Sequence, residues 1–205
     1  MTDGKTRNGG QLLMDSLVAL GATRGFGVPG ESYLAVLDAM VDHANAFDLV
    51  LCRQEGGAAY MAAAWGKLTG EPGLCFVTRG PGATNATVGI HTAMQDSVPM
   101  ILFVGQVATD VMGREAFQEV DYTAFFGPLA KWAVQIDHVD RVPEIISRAW
   151  TVAMSGRPGP VVVALPEDML VATSDRLPCN PVAIPEPAVP EAGAAHIAAM
   201  LAAAE

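Results

Sequence analysis

From Leu12 onward the apolar positions fall at helical spacing. Leu12, Leu13, Leu17, Val18 and Leu20 share one face of a helix that Gly21 closes. A short strand, Phe26-Gly27-Val28, meets the turn Pro29–Gly30. Ser32 can then cap a helix whose period is kept by Tyr33, Leu34, Leu37, Met40 and Val41. The alternation repeats as strand 47–52, helix 54–69, strand 73–78, helix 81–95 and strand 99–105. A non-periodic stretch, 106–121, precedes a short helix, a strand near 131–136, a helix near 141–155 and the apolar strand 160–166.

Strands that read as continuous apolar runs, separated by helices, predict a parallel sheet covered on both faces. The expected fold class is therefore α/β, a doubly wound, mostly parallel sheet. Ligands in such sheets bind outside the carboxyl ends of the strands. That directs attention to the segments just after them: 29–31, 53–57, 78–85 and 105–121.

After residue 170 the pattern changes. Pro178, Pro181, Pro185, Pro187 and Pro190 make a stiff, extended linker over 171–191, and an Ala-rich helix begins over 192–205. The expected organisation is one domain over 1–170, this linker, and the start of a truncated further domain.

Composition narrows the function classes. The chain of 205 residues is 51% apolar and 17% charged, which suits a packed core rather than disorder. A net charge of −10 argues against nucleic acid or an anionic membrane as the main partner. No uncharged apolar run is long enough to span a bilayer, and the polar start lacks a secretory pattern, so a cytoplasmic location is expected. Cys52, Cys75 and Cys179 show no CxxC spacing, and the first two read as small core residues.

One glycine motif misleads. Gly25-Phe26-Gly27-Val28-Pro29-Gly30 matches G-x-G-x-x-G, but a helix precedes it and the strand must run through it. The dinucleotide fingerprint needs the reverse, so nicotinamide binding is not expected. Gly30 is the informative glycine, because a Pro-Gly turn brings backbone close to whatever fills the cleft.

Glu55 is a lone acid at the mouth of a segment of very small residues, Gly56, Gly57, Ala58, Ala59, Ala62, Ala63 and Ala64. An acid in a first helical turn is ordinary. Small neighbours, however, admit a close backbone or ligand, and an acid enclosed there is placed to share a proton. In the next post-strand segment Pro81 suits a helix start, flanked by Gly80 and Gly82, with Thr78 and Asn85 offering hydrogen bonds. The long loop after 105 adds Gln106, Phe117 and Gln118.

The order GVPGES, RQEGGAAYMAAAWGKLTG, TRGPGATN, DSVPMILFVGQV, AFQEVD and SGRPGPVVVALPEDM resembles the N-terminal, pyrimidine-binding domain of thiamine-diphosphate enzymes, nearest to the acetolactate synthase branch. The likeness is collinear from about Leu12 to Leu170. It implies that Glu55 hydrogen-bonds the pyrimidine N1′ and favours the imino form, whose nitrogen takes the thiazolium C2 proton. It further implies that Gly30, Thr78, Pro81, Asn85 and Gln118 line the cofactor, and that Phe117 and Gln118 also face a 2-oxo acid substrate. Arg157 would contact FAD, which is structural in that branch. No metal ligand is expected in this chain: Mg2+ and the diphosphate would be held by a C-terminal domain of another subunit in a homodimer or tetramer.

Three positions depart from the acetolactate synthase pattern. Glu31 stands where a glycine is usual, Arg79 where TSGPG has serine, and Glu167 where LPKD has lysine. The resemblance thus implies a carboligase or decarboxylase, a lyase or transferase, with its substrate pair open and the isolated chain inactive. Two alternatives stand beside it. One is a non-catalytic binding or regulatory module on the same fold. The other is a stand-alone subunit that pairs with a separate diphosphate-binding subunit.

Overall fold

The structure is a computed structural model that describes residues 4–184 and 188–204. Pro185 and Pro187 of the expected linker lie outside the described residues. In chain order the main elements are β1 (Arg7–Asn8), α1 (Gly9–Ala19), β2 (Arg24–Gly27), α2 (Leu34–Asp42), β3 (Asp48–Leu51), α3 (Glu55–Thr69), β4 (Gly73–Val77) and α4 (Pro81–Gln95). They continue with β5 (Met100–Gln106), α5 (Tyr122–Phe126), β6 (Trp132–Gln135), α6 (Val142–Met154), β7 (Pro160–Pro166), α7 (Glu167–Val171), β8 (Thr173–Ser174) and α8 (Glu191–Ala202).

Six strands form one sheet in the order β3-β2-β4-β5-β7-β6, and every pairing in it is parallel. The strands carry two cores because their side chains alternate. Leu74, Phe76, Ile101, Phe103, Val161 and Val163 face one side, beneath Leu12, Leu13, Val36, Ile145 and Trp150 from α1, α2 and α6. Cys75, Val77, Leu102, Val104 and Val162 face the other, beneath Ala58, Ala62, Ala86, Ile90 and Phe126 from α3, α4 and α5. This is the doubly wound α/β architecture expected from the apolar runs.

Chain order reverses beside β2: the chain passes from β2 outward to the edge strand β3 and returns to β4 on the inner side. The carboxyl ends of β2 and β4 therefore border a topological switch point.

Local differences from the expected elements have identifiable causes. Ser32 does not cap α2; a 3-10 turn, Glu31–Tyr33, intervenes, and Ser32 is fully buried. Two-residue β1 and β8 pair antiparallel as a separate two-stranded sheet and are too short to show a period. Cys75 is in the core, and burial pushes its thiol up; Cys52 is only half-buried at the end of β3. Beyond β8 the chain still touches the domain, since the Cys179 N–H donates to Ser16 Oγ at 3.4 Å. No residue of α8 is buried. No helix of the described residues is long and apolar enough to cross a membrane.

Candidate active site

Glu55 opens α3 just beyond the carboxyl end of β3. The capping role belongs to Gln54, whose side chain accepts from the Gly57 N–H at 2.8 Å. The Glu55 carboxylate is thereby free to look across at α4. There the Asn85 side-chain amide donates to Glu55 Oε2 at 3.0 Å.

The other oxygen, Oε1, faces the backbone at Gly82, where the start of α4 packs closely on Thr78. A Cβ on Gly82 would stand 3.6 Å from Oε1 and 2.9 Å from Thr78 Cγ2. On the far side Gly30 closes on the same threonine, where a Cβ would overlap the Thr78 side chain. The turn after β2 and the start of α4 thus meet at Thr78, on the switch point. Its hydroxyl shares a hydrogen bond of 2.9 Å with Ser32 Oγ, which also accepts from the Arg79 N–H at 3.2 Å.

Gly80 makes the sharp exit from β4, with φ 58° and ψ −111°. Its N–H donates to Tyr122 Oη at 2.7 Å. Burial raises the Tyr122 phenol above its ordinary value, against the Gly80 hydrogen bond and the Arg79 charge. Gln118 lies over Gly80 and holds a left-handed backbone, φ 64°. Phe117 beside it is 74% exposed. The loop itself is tied down: Gln106 Nε2 donates to Val120 O at 2.8 Å, and the Glu119 carboxylate accepts from the Gly113 and Ala116 N–H groups at 2.6 and 3.0 Å.

Glu55, Asn85, Pro81, Thr78, Gly30, Phe117 and Gln118 therefore belong to one connected cluster at the carboxyl edge of the sheet. Arg157 does not. It lies between α6 and β7, and its guanidinium donates to Ser97 Oγ at 2.7 Å and to the Met94 and Gln95 carbonyls at 3.1 Å each. It closes the C-terminus of α4, at the opposite edge of the sheet.

Residues 7–125 match the family described as thiamine pyrophosphate enzyme, N-terminal TPP binding domain. The chain belongs to this family. Among relatives of this thiamine pyrophosphate enzyme domain, the mitochondrial acetolactate synthase catalytic subunit of Aspergillus candidus is 40% identical over 182 residues, covering 89% of this chain and 26% of the relative. The acetolactate synthase isozyme 3 large subunit of Escherichia coli (strain K12) is 42% identical over 163 residues, covering 80% and 28%. The acetolactate synthase large subunit of Lactococcus lactis is 40% identical over 165 residues, again covering 80% and 28%. The chain spans less than a third of the length of each.

The residues present suit the ring end of thiamine pyrophosphate. A half-buried carboxylate whose Oε2 accepts from Asn85 keeps Oε1 to meet a ring nitrogen, and Gly30 and Gly82 present bare backbone on either side of Thr78. Among the described residues there is no group of three or more His, Cys, Asp or Glu able to hold a metal ion.

Sequence reasoning named Gly82 only as a flank of Pro81 and did not place Ser32 or Tyr122 at this site. Gly82 was within reach, because it follows Pro81 one turn before Asn85. Ser32 and Tyr122 contribute through contacts 46 and 42 residues distant in the chain.

Proposed function

We propose that this chain supplies the pyrimidine-facing part of a thiamine diphosphate site in an acetolactate synthase-like carboligase or decarboxylase acting on 2-oxo acids. The observation that carries this reading is the Glu55 carboxylate at the carboxyl edge of the sheet, held by Asn85 through Oε2 and lying close to the Gly82 backbone through Oε1. When bound, thiamine diphosphate supplies a carbon nucleophile for carbonyl chemistry. Glu55 exchanges a proton with the ring nitrogen it meets, Asn85 fixes the carboxylate, and Gly30 presents backbone to the ring. Phe117 and Gln118 line the space on the substrate side.

In this reading the diphosphate and Mg2+ are held elsewhere in the intact protein, by a C-terminal domain of a neighbouring subunit. The isolated chain is then inactive, and the intact enzyme is a homodimer or tetramer. The hydrogen bonds of Arg157 commit it to α4, so a flavin contact there would be structural and takes no part in the reaction. Three unpaired cysteines suit a reducing, cytoplasmic setting.

The test is Glu55→Gln in the intact protein, followed by carbon dioxide release from small 2-oxo acids with thiamine diphosphate and Mg2+. Turnover is expected to fall by about 10²–10⁴-fold, the usual worth of a positioned proton partner, with the circular dichroism spectrum unchanged. Unaltered turnover would sink the proposal and leave a binding module in its place.

A further inference from the structure

Glu31, Arg79 and Glu167 follow β2, β4 and β7, far apart in the chain, yet they meet. Arg79 Nη2 lies 2.6 Å from Glu31 Oε1, and Nη1 lies 3.5 Å from Glu167 Oε2. The third edge of the guanidinium, Nε, donates to the Phe117 carbonyl at 3.3 Å. The Arg79 side chain is only 10% exposed, against 72% for Glu31 and 47% for Glu167.

An ion pair with such exposed partners contributes little to stability. What the three contacts do is orient a planar cation. Its Nε bond fastens the loop at the residue before Gln118, whose left-handed φ of 64° disfavours a non-glycine side chain and needs outside support. Gln118 in turn lies over Gly80, whose N–H is held by Tyr122. The segment 117–122 is thus fastened to residues 79–80 at two points, through the Phe117 carbonyl and through the Tyr122 hydroxyl, one on each side of that crossing. Arg79 is the side chain that holds the Phe117 side of it.

We propose that Arg79 is a positioning residue that clamps the Phe117 carbonyl and so sets the Phe117–Gln118 corner over Gly80, one turn from Asn85 at the start of α4, with Glu31 and Glu167 holding the guanidinium in plane. This rests on the proposed function in that the corner faces substrate. The Arg79 side chain is committed to Glu31, Glu167 and the Phe117 carbonyl, and none of these bonds reaches the Glu55 carboxylate. Its effect is transmitted through the loop. Lysine would keep the charge but could not serve three acceptors in one plane.

The test compares Arg79→Met, Arg79→Lys and wild type in the intact protein. Hydrogen exchange is read first, without cofactor or substrate. Amides of 113–119 are expected to exchange about ten- to a hundredfold faster in both variants, the size of one lost charged hydrogen bond, while Gly73–Val77 of β4 stays protected. In Arg79→Ala, added methylguanidinium restores that protection. Kinetics come second: KM for the 2-oxo acid rises about ten- to a hundredfold, as for a misplaced binding group, and kcat moves less.

Unchanged exchange at 113–119 overturns the clamp, whatever the protein catalyses. Faster exchange with KM unmoved overturns its link to substrate. Neither result depends on the Glu55→Gln outcome, because exchange is measured on the free protein. Should Arg79→Met fail to fold, Glu31→Leu combined with Glu167→Leu leaves the arginine present but without either side-chain acceptor. A smaller rise in exchange over the same segment is then expected, and no rise overturns the proposal.

Discussion

Asn85 donates to Glu55 Oε2 at 3.0 Å across the contact between α3 and α4. That distance is set by the missing side chains behind it. A Cβ on Gly56 would stand 3.1 Å from Val88 Cγ2 and 3.3 Å from the Asn85 carbonyl, and one on Gly89 would overlap Ala59 Cβ. The run of small residues after Glu55 thus lets two helices approach closely enough for their first turns to share a carboxylate.

Asn85→Ala removes the donor and leaves the carboxylate without a partner on α4. Turnover of the intact protein is expected to fall by about ten- to a hundredfold, the worth of a hydrogen bond to a charged group. Thermal stability should hardly change, because Asn85 is exposed. Steady-state kinetics paired with a melting curve separates the two.

Gly89→Ala tests the packing itself. The added methyl meets Ala59 Cβ and backbone, which cannot rotate away. A loss of about 1–3 kcal/mol is expected from overpacking, read as a lower denaturant midpoint with an unchanged slope. Turnover should fall as well, because the same displacement separates Asn85 from Glu55. A stable but inactive variant would show that the helices shift rather than loosen.

How much of this was legible before the structure depends on the range over which each signal acts. The helix over 81–95 is legible because Pro81 follows a glycine at its start, and the structure begins and ends α4 at those residues. The strands are legible because those buried on both faces are apolar without interruption. Ser32 misleads, because a serine before an apolar period fits a cap as well as it fits a bond to Thr78 in the next strand's exit. The Arg79 cluster is illegible for the same reason at greater distance: its carboxylates lie 48 and 88 residues away. No local pattern links three charges at the ends of three strands; only the strand order does.

Asp121 should make α5 sensitive to acid. Its carboxylate accepts from the Ala124 N–H at 3.0 Å and from the Thr123 hydroxyl at 2.7 Å, and these bonds hold its pKa below the ordinary value. For a lowered acid the stabilisation is complete above the unfolded pKa and is lost as pH falls through the folded one. The Ala124 amide should therefore lose protection from about pH 4 downward. In Asp121→Asn, which keeps a neutral cap, that pH dependence should vanish. Because α5 carries Tyr122, the Gly80 N–H should respond together with Ala124.

Arg157→Met separates the two edges of the sheet. The substitution removes the bonds to Ser97 Oγ, Met94 O and Gln95 O that close α4. Since Arg157 is exposed, a loss of about 1.5 kcal/mol is expected, at the low end for hydrogen bonds of a charged group. Denaturation of the intact protein measures it. Glu55 meets α4 at its other end, through Asn85, so thiamine diphosphate affinity measured by calorimetry should be unchanged. Flavin content, read from visible absorbance of the purified variant, decides the remaining role. Flavin lost while thiamine diphosphate still binds would place FAD against this edge, and flavin unaltered would leave Arg157 as the closing residue of α4 alone.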